Sequence, residues 1–153
     1  MHAAIVLMLA FAMAPAFADD EVDHEAAVAI WEALDEAWNA RNASRFAALF
    51  VDDAMMEFYD PDQTLGGRDA IHRHFLERFP GIAPPFEHRS AVTRVRAVVD
   101  GVLAVDGTVD VLRHPAGSDE RAPELFRSFR VLSILIRDGD GWRFREMRIH
   151  PVP

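Results

Sequence analysis

The spacing of apolar residues changes period at Ala83-Pro84-Pro85, and that change limits the folds open to this chain. Up to the linker, most apolar side chains recur every three or four residues. After it they alternate in long runs rich in Val, Ile and Phe. Helices first and long strands second imply an α+β domain, with three N-terminal helices packed on one face of a mostly antiparallel sheet. From Val22 to Arg41, Ala27, Trp31, Leu34 and Trp38 form one stripe, with Ile30 and Ala37 beside it. Glu25, Glu32, Asp35 and Glu36 are assigned to the opposite face, which predicts an amphipathic helix of about five turns. Asn42 offers an N-cap for a short second helix with Phe46, Leu49 and Phe50 inward, ended by Asp52-Asp53. Ala54 to Tyr59 reads as a strand and Asp60-Pro61-Asp62 as a turn. Gly66-Gly67 leads into a third helix over Arg68 to Phe79, stopped by Pro80-Gly81.

The second half predicts two hairpins. His88 to Val99 and Val102 to Arg113 flank Asp100-Gly101, and Leu125 to Arg137 and Trp142 to Ile149 flank Asp138-Gly139-Asp140-Gly141. Asp-Gly between β-rich runs is a strong turn signal. His114 to Pro123 reads as a polar loop. Val131 to Ile136 is apolar on both faces apart from Ser133. The face away from the helices therefore needs cover, and a homodimer through the outer sheet face would supply it.

Ala3 to Met13 is almost wholly apolar, yet shorter than the roughly 20 residues that cross a bilayer as a helix. Pro15 breaks the run, and Ala16-Phe17-Ala18 suits signal peptidase cutting before Asp19. Residues 1–18 are expected to be a cleavable signal, although the n-region holds only the terminal amine and His2. Residues 19–153 then form a single domain, exported to a bacterial periplasm or medium. The chain has no cysteine, which excludes disulfides and thiolate chemistry. Its net charge of -9 argues against nucleic acid, which needs a basic face. No second long apolar run exists, so no membrane span is expected after signal cleavage.

Three motifs in order resemble a known family. They are Ala37-Trp38-Asn39-Ala40-Arg41-Asn42 with Phe46 to Ala54, then Gly67-Arg68-Asp69-Ala70-Ile71, then Asp140-Gly141-Trp142-Arg143-Phe144. The chain looks like a SnoaL-like domain of the nuclear transport factor 2-like superfamily, which shares the ketosteroid isomerase fold. The resemblance implies a cone, with helices closing one side of a strongly curved sheet around an apolar pocket. The superfamily includes isomerases, cyclases, dehydratases and pure binding domains, so the resemblance speaks to fold more than to reaction.

Alternation on the last strand groups Trp142 and Phe144 with Glu146, Arg148 and His150. If the aromatic pair marks the concave side, Glu146 and Arg148 reach the pocket, with Glu146 as a general acid or base. A surface ion pair is the plainer alternative. His88 and His72 are further candidates for proton transfer, and His72 is assigned to the side of its helix bearing Phe75, Leu76 and Phe79. Each is also readable as a satisfied core histidine. Tyr59, the only tyrosine, is a candidate donor to a carbonyl or oxyanion. Either Met55, Glu57 and Tyr59 line the pocket, or Met56 and Phe58 do. Relative to the isomerases, ungapped motifs put Phe58 where the catalytic Asp stands. Asp60 regains the position only after a two-residue slip, so classical ketosteroid isomerase activity is not expected. Trp38 is a core residue or a pocket floor. No His-plus-carboxylate spacing suits a metal, and no Gly-rich loop suits a nucleotide.

These features predict an exported, cofactor-free and metal-free pocket protein that binds a small, largely apolar organic molecule. The expected ligand-binding set is Trp38, Met56, Phe58, Asp60, Trp142, Phe144 and Arg148. The alternatives are a lyase, isomerase or cyclase using Glu146, and a dimeric assembly domain without catalysis.

Overall fold

The computed structural model describes residues 17–60, 63–82, 86–115 and 122–153. Residues 1–16 of the expected signal lie outside the described residues. So do Pro61-Asp62, the linker 83–85 and residues 116–121 of the polar loop.

Helix α1 spans Phe17–Asn39, and its apolar stripe is buried as expected, from Ala27 through Trp31 and Leu34 to Trp38. Arg41 then adopts a positive φ of 52° and reverses the chain. Its guanidinium lies 4.1 Å over the Trp38 ring and donates to Trp38 O at 2.8 Å and Phe86 O at 2.6 Å. Helix α2 (Ala43–Ala48) is capped by Asn42, whose Oδ1 accepts from Arg45 N at 2.9 Å.

Strand β1 covers Phe50–Phe58. It begins earlier than expected, and Asp52-Asp53 lies within it rather than ending α2. Aspartate is a poor strand former, but the flanking residues Phe50 and Met55 pair with the last strand and carry the two aspartates across an irregularity in the register. Both carboxylates point to solvent and meet arginines, Asp52 with Arg68 and Asp53 with Arg145. A short strand β2 (Thr64–Gly66), absent from the sequence reading, pairs antiparallel with β1. Helix α3 (Arg68–Arg78) follows Gly67, whose φ of 89° suits only glycine. A 3₁₀ turn at Phe79–Gly81 ends this layer.

The hairpins form as predicted, within a few residues. Strands β3 (Phe86–Val99) and β4 (Val102–Arg113) make one; β5 (Glu124–Asp138) and β6 (Gly141–Pro151) make the other. The six strands run in the order β2-β1-β6-β5-β4-β3. Only β1 with β6 is parallel. The α+β cone implied by the family resemblance is therefore the observed fold.

Two packing events shape the cone. First, α1 covers the free edge of β3 with polar side chains. Asn39 donates to His88 O at 2.9 Å and accepts from His88 N at 2.7 Å. Asp35 Oδ2 accepts from Ser90 N at 2.8 Å and from Ser90 Oγ at 2.9 Å. Asp35 thus faces the sheet, not the solvent side to which the helical pattern assigned it. Second, the Trp31 indole lies flush on Gly107 of β4. A Cβ at that glycine would come within 2.5 Å of the Trp31 ring and 2.7 Å of Ala91 O. Trp31 also contacts Phe144, which stacks on Phe50 at 5.1 Å between ring centres. Phe46, Phe75 and Phe79 extend the aromatic core beneath α2 and α3.

Strand β6 carries a bulge. Phe144 pairs with Leu135 and Glu146 with the next residue, Ile134, leaving Arg145 as the extra residue. A one-residue insertion reverses which side chains face inward. Phe144, Met147 and Ile149 join the core face, so Glu146 and Arg148 fall on the convex face, against the expectation from simple alternation.

Gly107→Ala is expected to destabilise the fold by about 1–3 kcal/mol, because Trp31 and the β3 backbone must both shift to admit a methyl group. The midpoint of urea unfolding, compared with wild type, measures it.

Candidate functional site

A cavity of about 300 Å³ opens between the concave sheet face and the helices. That is the lower end of the range for small-molecule sites. Its wall is mostly apolar, with Leu34 and Trp38 from α1, Met56 and Phe58 from β1, Phe129 from β5 and Met147 from β6 among the lining residues. Met56 and Phe58 settle which face of β1 looks inward. Tyr59 lies on the other face, 72% exposed. The polar lining is small: Gln63, His74, Arg78, His88 and Arg127.

His88 is the best-organised of these groups. Its Nδ1 lies 2.5 Å from Asp35 Oδ1, and both side chains are largely buried. A carboxylate can only accept, so Nδ1 carries the hydrogen and neutral His88 leaves Nε2 as the basic nitrogen. Ser90 holds the other Asp35 oxygen, and the imidazole lies against Trp38 at 5.1 Å between centroids. Two backbone bonds to Asn39 anchor His88 from below. Two elements, α1 and β3, thus fix one ring at the cavity wall.

The other expected residues divide. Trp38, Met56 and Phe58 line the cavity with His88. His72 does not. Its Nε2 lies 3.2 Å from Ser44 Oγ, on the α2 side of α3. The inward face of α3 instead runs Ile71, His74, Phe75 and Arg78, at helical steps of three and four. Glu146 and Arg148 pair with each other at 2.7 Å on the convex face, and Glu57 lies 3.4 Å from Arg148. This is the surface ion pair, removed from the cavity by the β6 bulge. Asp60 is exposed beyond the end of β1 and accepts from Gln63 N through its carbonyl at 2.8 Å. Trp142 sits at the β5–β6 turn with Arg137 5.0 Å from its ring. Phe144 is fully buried in the core below the cavity.

A family model described as a SnoaL-like domain matches residues 19–148. The chain belongs to the SnoaL-like family. Solved structures of similar fold include a putative scytalone dehydratase from Novosphingobium aromaticivorans, 17% identical, with 90% of this chain and 89% of that one covered and a TM-score of 0.75. LinA is 15% identical over 90% of each chain, with a TM-score of 0.72. ActVI-ORFA from Streptomyces coelicolor is 21% identical over 84% of this chain and 96% of that one, with a TM-score of 0.71. At these identities the likeness concerns the fold alone. No curated protein matches the sequence.

Within this SnoaL-like domain, sequence reasoning missed Asp35, His74, Arg78 and Arg127. Asp35 had a signal. It lies four residues after Trp31 and three before Trp38, on the buried stripe itself. His74 had one too, three residues after Ile71. Arg127 had none, because an arginine on a strand ordinarily points to solvent. Among the described residues, no group of three or more His, Cys, Asp or Glu side chains is placed to hold a metal ion, and no helix is long and apolar enough to cross a membrane.

His74 packs beside Phe58 and Phe75 at 5.5 and 5.1 Å between ring centres. Burial, then the Arg78 charge, lowers its pKa below the ordinary 6.5, with Glu77 partly opposing. The unfolded chain takes up that proton first as pH falls below 6.5, so the His74 contribution to stability weakens on acidification. The ring is expected to titrate below 6.5 by NMR, and Arg78→Gln is expected to raise its midpoint. A His74→Asn variant should lose less stability than wild type between neutral pH and the His74 midpoint.

Proposed function

We propose that this domain binds a small, largely apolar organic molecule and transfers a proton within it, with His88 as general base and Asp35 as the group that orients it. The observation that carries the reading is the Asp35–His88 pair at 2.5 Å on the wall of an apolar cavity. His88 Nε2 has no partner among the described residues and is available to a carbon acid in the cavity. As the C–H proton moves to Nε2, its electron pair either forms a new double bond while a neighbouring hydroxyl departs, or shifts along a conjugated system. In the first case the imidazolium returns the proton to the leaving hydroxyl, and water is the second product. In the second case it returns the proton to a different carbon. Asp35 stabilises the imidazolium in both. A protein of similar fold is described as a putative scytalone dehydratase, and elimination of water is the version tested first. The acid–base role first assigned to Glu146 passes to His88, because Glu146 faces the convex side.

The test uses a panel of cyclic ketones and β-hydroxyketones in D₂O, followed by NMR. Wild type is expected to exchange or dehydrate at least one of them. His88→Ala should lower that rate at least 100-fold and Asp35→Asn at least 10-fold, in line with a general base contribution of roughly 10²–10⁴. Glu146→Gln should stay within about twofold of wild type. Loss of activity in Glu146→Gln, with His88→Ala unaffected, would put the reaction elsewhere.

The same proposal includes export and self-association. Met55 and Leu132 are exposed on the convex face, a surface suited to a second copy. Native mass spectrometry of protein from the periplasm or medium is expected to report a dimer of chains beginning at Asp19. A monomer, or a chain that retains residues 1–18, would refute the corresponding half.

A further inference from the structure

We propose that the cavity is built for an organic acid: a carboxylate on a mainly apolar body, held at the mouth by Arg127 and Arg78. This deepens the reading above and rests on it only in placing the ligand in this cavity.

The charge pattern points there. Arg127 pairs with Val111 across β4 and β5. It continues the inward row of Val131 and Phe129, where alternation would ordinarily call for another apolar side chain. Arg78 reaches the same cavity from the last turn of α3. Neither arginine makes an ion pair or hydrogen bond with any described residue. Elsewhere Arg96, Arg113 and Arg148 each meet a carboxylate. A chain of net charge -9 has carboxylates to spare, yet among the described residues none lines this cavity. Asp35 lies behind His88 with both oxygens engaged, and Glu77 sits on the exposed side of α3. Among the described residues, the cavity is thus lined by cations without an internal counter-charge.

A second observation is independent of charge. Trp31 lines the cavity and is 1% exposed, and its indole Nε1 meets no acceptor among the described residues. A buried donor without a partner is costly, and a ligand oxygen would satisfy it. An acid with an apolar body and a second oxygen matches the whole lining. The planar guanidinium fork suits carboxylate, and an apolar wall suits the ring or chain that carries it.

The test compares benzoate, cinnamate and naphthalene-2-carboxylate with their neutral carboxamides of similar shape, by calorimetry and by the fluorescence of Trp31 and Trp38. Wild type is expected to bind at least one acid about tenfold more tightly than its amide at low salt. The preference should shrink as salt rises, since both arginines are exposed. Arg127→Met with Arg78→Met should bring acid and amide within about twofold, and Arg127→Glu should invert the preference. Melting temperatures close to wild type establish that the variants fold. Equal binding of acid and amide, binding of neither, or a preference that survives the double variant overturns the proposal. His88→Ala separates it from the catalytic reading: that variant should keep the acid preference while losing proton transfer. If His88→Ala leaves turnover intact while the preference stands, the general base assignment fails and the acid site remains.

Discussion

The architecture depends on how α1 satisfies the open edge of β3. An edge strand exposes unpaired N–H and C=O groups and invites further pairing. Here Asp35, Asn39 and Arg41 meet that edge at Ser90, His88 and Phe86 in turn. Each is a side chain-to-backbone bond, and two of the three residues bring charge. Such bonds are individually worth roughly 1–3 kcal/mol. Together they fix the angle of the helix across the sheet and set Trp31 down on Gly107. They also carry His88 to the cavity wall with its Nδ1 already engaged. The contacts that close the cone are therefore the contacts that organise the candidate base, and Asp35 takes part in both.

The β6 bulge is the second constraint. It lets Phe144 pack with Phe50 and Trp31 at one level while Met147 and Ile149 line the cavity at the next. Without the extra residue, Glu146 and Arg148 would enter the interior, and an ion pair would need desolvation there. With it they stay on the wetted face, beside Glu57. Besides the buried Ser133 and the cavity-lining Gln63, the interior holds an Asp–His pair whose carboxylate is fully hydrogen-bonded, a second histidine held below its usual pKa by burial, and two arginines at the mouth. Polar groups are few and each has a distinct place, a common arrangement in small-molecule sites.

Much of the fold was legible in the sequence. The buried stripe of α1, the Asn42 cap, the start of α3 and both Asp-Gly hairpins follow from local chemistry, and local chemistry acts over a few residues. The beginning of β1 was misread because Asp52 and Asp53 resemble a helix stop. Only partners distant in sequence, Arg68 and Arg145, make them acceptable in a strand. Strand β2 was missed because three residues carry no period.

The candidate site divides along the same line. Sequence alone determined the α+β order, the family resemblance, the apolar character of the interior, and Trp38, Met56, Phe58 and His88 as residues to watch. Tertiary structure decided which face of each strand looks inward. Alternation has only two phases, and a single inserted residue at Arg145 exchanges them. It also decided that Asp35 and His88, far apart in the chain, share a hydrogen bond, while Glu146 and Arg148 meet at the surface. Periodicity tells which residues travel together, but the pairing of distant elements selects the side on which they arrive.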